Sequence, residues 1–247
     1  MEEFKNLERV PSQVKKKFVP FLRKFFEACP RGIHSVAIYG SATGINYIPG
    51  KSDINSVIIM DQVGWDLWRQ VLRVTAEGIK QRITAPLLLT KEYIQSSLDT
   101  FPIEFLDIKE NHVSVYGEDY FSGLSIESRN LRIFCEYQMK GKLIRIRQAY
   151  LEEGLKDKML GALMTESLSS LIPVFRNLIR IKGQTADIDK IKIIIQVCSI
   201  FHLDPGVFLS IHKQRTLQQR MSLRQTQELM EMYIRQLEQL ITAVDHL

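Results

Sequence analysis

Two short apolar runs joined by a turn-rich connection constrain this chain most. HSVAIYG (34–40) and INSVIIM (54–60) are of strand length rather than helix length and rich in β-branched side chains. The first run stops at Gly40-Ser41, and the second follows the turn-rich YIPGKSD (47–53), so the segment reads as strand, turn, strand. A strand ending in Gly-Ser lets backbone N–H groups approach a phosphate with no Cβ in the way, and the serine hydroxyl adds a donor. If a helix begins at Ser41, its N-terminal amides and dipole favour the anion further. Asp53, at the head of the second strand, is placed to hold a magnesium ion against the same phosphates.

Around this corner the pattern predicts mixed α/β structure up to about residue 120. Residues 12–28 put Val14, Phe18, Phe21, Leu22 and Phe25 on one helical face, with Pro20 expected to weaken or kink it. Residues 65–82 read as a helix with Trp65, Trp68, Leu72 and Ile79 on its apolar side. APLLL (85–89) and FPIEFLDI (101–108) read as strands separated by a short helix from Thr90, and HVSVYGEDYF (112–121) closes the region with a turn at Gly117. From about Ser125 only helical spacing remains. Residues 126–152 carry Leu131, Phe134, Tyr137, Met139, Ile144 and Leu151 at that spacing, with Gly154 as a stop. Further helices are expected at 157–181, 187–201 and 215–246, with breaks at KGQT (182–185) and LDPG (203–206). The expectation is an α+β protein, with a small mixed-sheet domain over 1–124 followed by an all-helical bundle over 125–247.

The corner resembles the nucleotidyltransferase superfamily, which includes DNA polymerase beta, kanamycin nucleotidyltransferase and many small bacterial proteins. Its pattern is an apolar residue, Gly, Gly or Ser, a spacer, then Asp-x-Asp or Asp-x-Glu ahead of apolar residues, with a third carboxylate from a later strand. Gly40, Ser41, the spacer 42–52, Asp53 and the apolar strand match it. Family members hold two magnesium ions on these carboxylates, which position a nucleoside triphosphate and activate an attacking hydroxyl. The resemblance therefore implies Mg2+, a nucleoside triphosphate, and transfer of a nucleoside monophosphate to an acceptor hydroxyl with release of pyrophosphate. It assigns Gly40 and Ser41 to the phosphates and Asp53 to metal and catalysis. Asn55 stands at the second metal position with a neutral carbonyl oxygen in place of a carboxylate, which weakens binding of a second cation. That departure leaves two readings: a nucleotidyltransferase, or a non-catalytic nucleotide-binding or interaction module. Glu104 in FPIEFLDI is the favoured third carboxylate for metal and catalysis, with Asp107 and Asp99 as alternatives. If 101–108 is a strand, Glu104 and Asp107 point to opposite faces.

Other features carry simpler readings. Asp187-Ile188-Asp189 repeats the acidic spacing but precedes a helical run, and so reads as an N-cap. Arg145 and Arg147, in the helix over 126–152, are candidates to reach the nucleotide, against a solvated face as the plainer reading. No Arg precedes a His at the spacing of the helical HEPN ribonucleases. Leu223, Thr226, Met230, Tyr233, Leu237, Leu240, Val244 and Leu247 form a heptad seam, read either as packing within the bundle or as a homodimer interface. Three dispersed cysteines, Cys29, Cys135 and Cys198, suit apolar core positions rather than a disulfide or zinc framework. A net charge of +5 suits anionic partners, nucleotide first and nucleic acid less specifically. No window approaches the roughly 18–20 apolar residues of a membrane span, and no secretory signal is visible, so a cytoplasmic protein without a membrane partner is expected.

Overall fold

A computed structural model of the chain describes residues 3–44, 47–187, 189–217 and 221–247. It forms two compact units, Met1–Ile126 and Glu127–Leu247. The first is built on a four-stranded mixed sheet and the second is helical, as the α+β expectation requires.

In the first unit, β1 (Ile33–Tyr39) is flanked by β2 (Asn55–Met60) and β4 (His112–Gly117), both antiparallel to it. Edge strand β3 (Leu87–Leu89) runs parallel to β2. Alternation along the strands sends side chains into two cores. Val36, Ile38, Ile58, Val113 and Val115 pack with the aromatic face of α1 (Ser12–Ala28) on one side. Ala37, Val57 and Ile59 meet Phe105, Ile108 and Phe121 on the other. The five apolar residues expected on α1 are all buried, and the helix continues through Pro20, which lies on its exposed face.

The second sheet face corrects one expectation. FPIEFLDI is not a strand: Pro102–Glu110 is a helix, α4. Pro102 occupies the first turn, where a missing N–H costs nothing, and Glu104 favours the positive end of the helix dipole. Apolar residues at 103, 105, 106 and 108 fall on both parities and define no single strand face, and the first-turn proline favours helix. The short helix expected after Thr90 is α3 (Lys91–Ser97), with Tyr93 N–H donating to the Thr90 hydroxyl as its cap.

The helix expected over 65–82 is α2 (Trp65–Ile79), and its buried side is not the expected one. Val71 and Gly78 are buried, whereas Trp65, Trp68, Leu72 and Ile79 are exposed. Gly78 explains the choice: a Cβ there would stand 2.7 Å from the Phe21 ring, so its absence lets α2 close onto α1.

The helical unit comprises α5 (Ser128–Glu153), α6 (Asp157–Ile181), α7 (Lys190–Phe201), α8 (Pro205–Leu217) and α9 (Leu223–Asp245). Central α6 packs on the other four, and its Leu160, Met164, Leu171, Phe175 and Leu178 are fully buried. Each such side chain contributes about 1.5–3 kcal/mol of transfer free energy. LDPG breaks the helical run between α7 and α8, as expected, and also starts a helix that was not expected. Pro205 opens α8, and Gly206 N–H donates to Asp204 Oδ1 at 2.8 Å. The helix expected over 215–246 therefore divides into the end of α8 and α9; residues 218–220 lie outside the described residues. Asp189 caps α7 through Ile191 and Lys192 N–H, as expected, while Ile188 lies outside the described residues. The heptad seam turns inward: Thr226, Met230, Tyr233, Leu237, Leu240 and Val244 are buried against the chain's own bundle. On α5, Leu131 and Met139 are buried, but Tyr137, Ile144 and Leu151 are exposed.

Candidate functional site

The corner is assembled by strand register. Tyr39, the last residue of β1, stands between Asn55 of β2 and His112 of β4, and Gly40 N–H donates to Asn111 O at 2.9 Å. Gly40 has φ +74°, a left-handed backbone that glycine adopts without strain. An added Cβ would lie 3.6 Å from Asn55 Nδ2, so the Asn55 amide sits directly against this turn. Gly40–Thr43 then makes a single 3-10 turn, closed by Thr43 Oγ1 donating to Gly40 O at 2.8 Å. The helix conditionally expected at Ser41 is thus a four-residue turn with no appreciable dipole. Gly40's own amide is committed to Asn111, so its contribution is conformational, and of the turn's two hydroxyls Thr43's is bonded to Gly40 O, leaving Ser41's as the one proposed for a ligand.

A segment outside the sequence motif completes the corner. Residues 82–84 (Arg-Ile-Thr) run beside 53–55 (Asp-Ile-Asn), with Ile54 and Ile83 forming a parallel bridge and both fully buried. Alternation puts the polar residues of each triplet on the opposite side. Arg82 Nε lies 3.1 Å from Asp53 Oδ1. Thr84 Oγ1 lies 3.0 Å from Asn55 Oδ1 and 3.2 Å from Ile54 O. Ile54 N–H donates to Arg82 O at 2.8 Å, Thr84 N–H donates to Ile54 O at 3.0 Å, and Arg82 Nη2 donates to Lys51 O. Arg82 has φ +66°, a conformation that costs a non-glycine residue about 1–2 kcal/mol. Its ion pair, with both side chains about half exposed, offsets only about 0–1 kcal/mol. The strained turn is therefore held chiefly by the backbone bonds.

Behind the sheet end, His112 and Asp119 brace the same region. His112 Nδ1 faces Ile108 O at 2.9 Å, and Nε2 faces Asp119 Oδ1 at 2.8 Å. Asp119 also accepts from the Phe121 and Ser122 amides and from the Ser122 hydroxyl. Burial opposes ionisation of Asp119, but the Ser122 and His112 hydrogen bonds outweigh it and hold the carboxyl well below its ordinary pKa. Burial pushes the Tyr39 phenol up from its usual value.

Of the residues singled out in the sequence, the structure brings together Gly40, Ser41, Asp53 and Asn55. Glu104 is not a strand carboxylate: it lies exposed on α4. Asp107 lies on the same helix, and Asp99 lies between α3 and α4. Arg145 and Arg147 belong to α5 of the helical unit, where Arg147 is ion-paired with Glu238 of α9. Arg82 and Thr84 were the residues missed. Their signal was the polar, apolar, polar alternation of Arg-Ile-Thr, matching that of Asp-Ile-Asn.

A two-magnesium centre needs several anionic oxygens converging on one point. Here Asp53 faces Arg82, the Asn55 carbonyl oxygen receives Thr84, and the described residues contain no group of three or more His, Cys, Asp or Glu able to hold a metal. These residues do not fit that centre. No described helix is long and apolar enough to cross a membrane.

No family model matches the chain, and no curated protein matches it. Among solved structures it is similar to spectinomycin adenyltransferase AAD(9) from Enterococcus faecialis, determined with ATP and spectinomycin. Sequence identity is 12%, the match covers 92% of this chain and 98% of that one, and the TM-score is 0.49.

Proposed function

We propose that the first unit is a nucleoside triphosphate-binding module of nucleotidyltransferase type, with the Gly40-Ser41 turn and Asn55 meeting the triphosphate and Asp53 beside them. The observation that carries this reading is the convergence of the left-handed Gly40 turn on the Asn55 amide, 3.6 Å from a Cβ position that glycine leaves open. Such a turn beside polar strand-end side chains admits a phosphate close to the backbone.

Binding, rather than turnover, is the function assigned. Nucleotidyl transfer through two metals requires a second anionic ligand, and Asn55 supplies an amide already engaged by Thr84. Calorimetric titration with ATP, GTP, CTP and UTP, followed by a pyrophosphate-release assay, tests the reading. The expected result is saturable binding of at least one nucleotide with no pyrophosphate released. Binding of none of the four contradicts the nucleotide assignment, and steady release of pyrophosphate contradicts the assignment of binding alone.

A further inference from the structure

The corner presents hydrogen-bond donors where a metal-holding corner presents acceptors. Thr84 donates to Asn55 Oδ1, which orients the amide so that Nδ2, with its two N–H groups, lies against the Gly40 turn. Among the described residues, no acceptor takes those N–H groups. On the same side of the 53–55 and 82–84 pairing, the Arg82 guanidinium uses Nε toward Asp53 and Nη2 toward Lys51 O. A guanidinium has five N–H donors in a rigid fork suited to phosphate oxygens, so three remain. The left-handed backbone at Arg82 is set by the Ile54 and Thr84 bonds, which hold the root of this cation in place. Asp53 is then the counter-ion that holds the guanidinium when no ligand is bound.

We propose that Arg82 takes the place of the metal ion, making the corner a divalent-cation-independent polyphosphate site in which Arg82 and Asn55 Nδ2 are the principal donors. The proposal rests on the nucleotide-binding reading above and names the residue that recognises the phosphates. It reassigns Asp53 from metal ligand to the group that positions Arg82.

ATP binding measured by calorimetry in magnesium and again in EDTA, on the full chain, tests it. Affinity in EDTA is expected within about threefold of that in magnesium. R82N should weaken binding about tenfold or more in EDTA, the scale of one lost charge-assisted phosphate contact. Asparagine tolerates the left-handed backbone, and R82G keeps the turn by another route, so a fold lost in one variant does not remove the test. Binding that disappears in EDTA, or R82N and R82G binding like the native chain, overturns the proposal and leaves the nucleotide reading standing. Absence of ATP binding in both buffers overturns both.

Discussion

Gly117 and Gly141 set the residue-scale expectations, because the same substitution has opposite consequences at the two sites. At Gly117, the end of β4, φ is +68° and a Cβ would stand 1.8 Å from His34 O in β1. G117A must therefore separate the strands that position the corner, at a cost on the order of 3 kcal/mol or more. At Gly141, exposed in the middle of α5, a Cβ meets nothing within 4 Å. G141A should stabilise by about 0.5–1 kcal/mol, since alanine orders less expensively in a helix. Urea denaturation of both variants checks the pair, and equal midpoints would contradict the geometry. Asp119 gives the pH expectation. Its pKa is depressed in the fold, so its contribution to stability is present above the unfolded value of about 3.9 and is lost as pH falls from there through the folded value. D119N should flatten that acid limb of stability, modestly because the carboxyl is partly exposed. An acid limb identical to that of the native protein would show that the Ser122 and His112 contacts carry none of it.

At the scale of elements, α2 shows most clearly where periodicity is ambiguous. Its aromatic stripe invited burial, yet the close approach permitted by Gly78 turns Val71 toward α1 and leaves Trp65 and Trp68 stacked edge to face in solvent. These are the two tryptophans of the chain, so native fluorescence should be red-shifted and strongly quenched by acrylamide. A blue-shifted, protected emission would contradict the exposed stripe. The same ambiguity governed α4, where apolar spacing marked neither one strand face nor one helical face and the first-turn proline favoured helix. Elements with one dominant signal were legible: β1 and β2 from their apolar runs, α1 from its phenylalanine face, and α7 from its acidic cap. Within the site, Gly40, Ser41, Asp53 and Asn55 were legible because a local motif joins them. Arg82 and Thr84 were not, because their pairing with residues 53–55 is a tertiary parallel bridge, and the alternation of Arg-Ile-Thr does not by itself say which segment it pairs with.

At the scale of the whole molecule, two units carry separate cores. The helical unit spends its heptad seam on its own interior, around the Tyr233 hydroxyl hydrogen-bonded to Ser167 at 2.9 Å. Burial pushes the Cys135 and Cys198 thiols up to about 12, so neither supplies a reactive thiolate at neutral pH. The proposed nucleotide binding is assigned to the first unit, at the corner between β1, β2 and the 82–84 segment. The measurement that tests this most directly is an ATP titration followed by amide and side-chain NMR of the isotope-labelled chain. The predicted result is saturable shifts concentrated at Ser41, Asp53, the Asn55 side-chain amide and the Arg82 guanidinium. Shifts confined to the helical unit, or no saturable shift at any residue of the corner, would contradict the assignment.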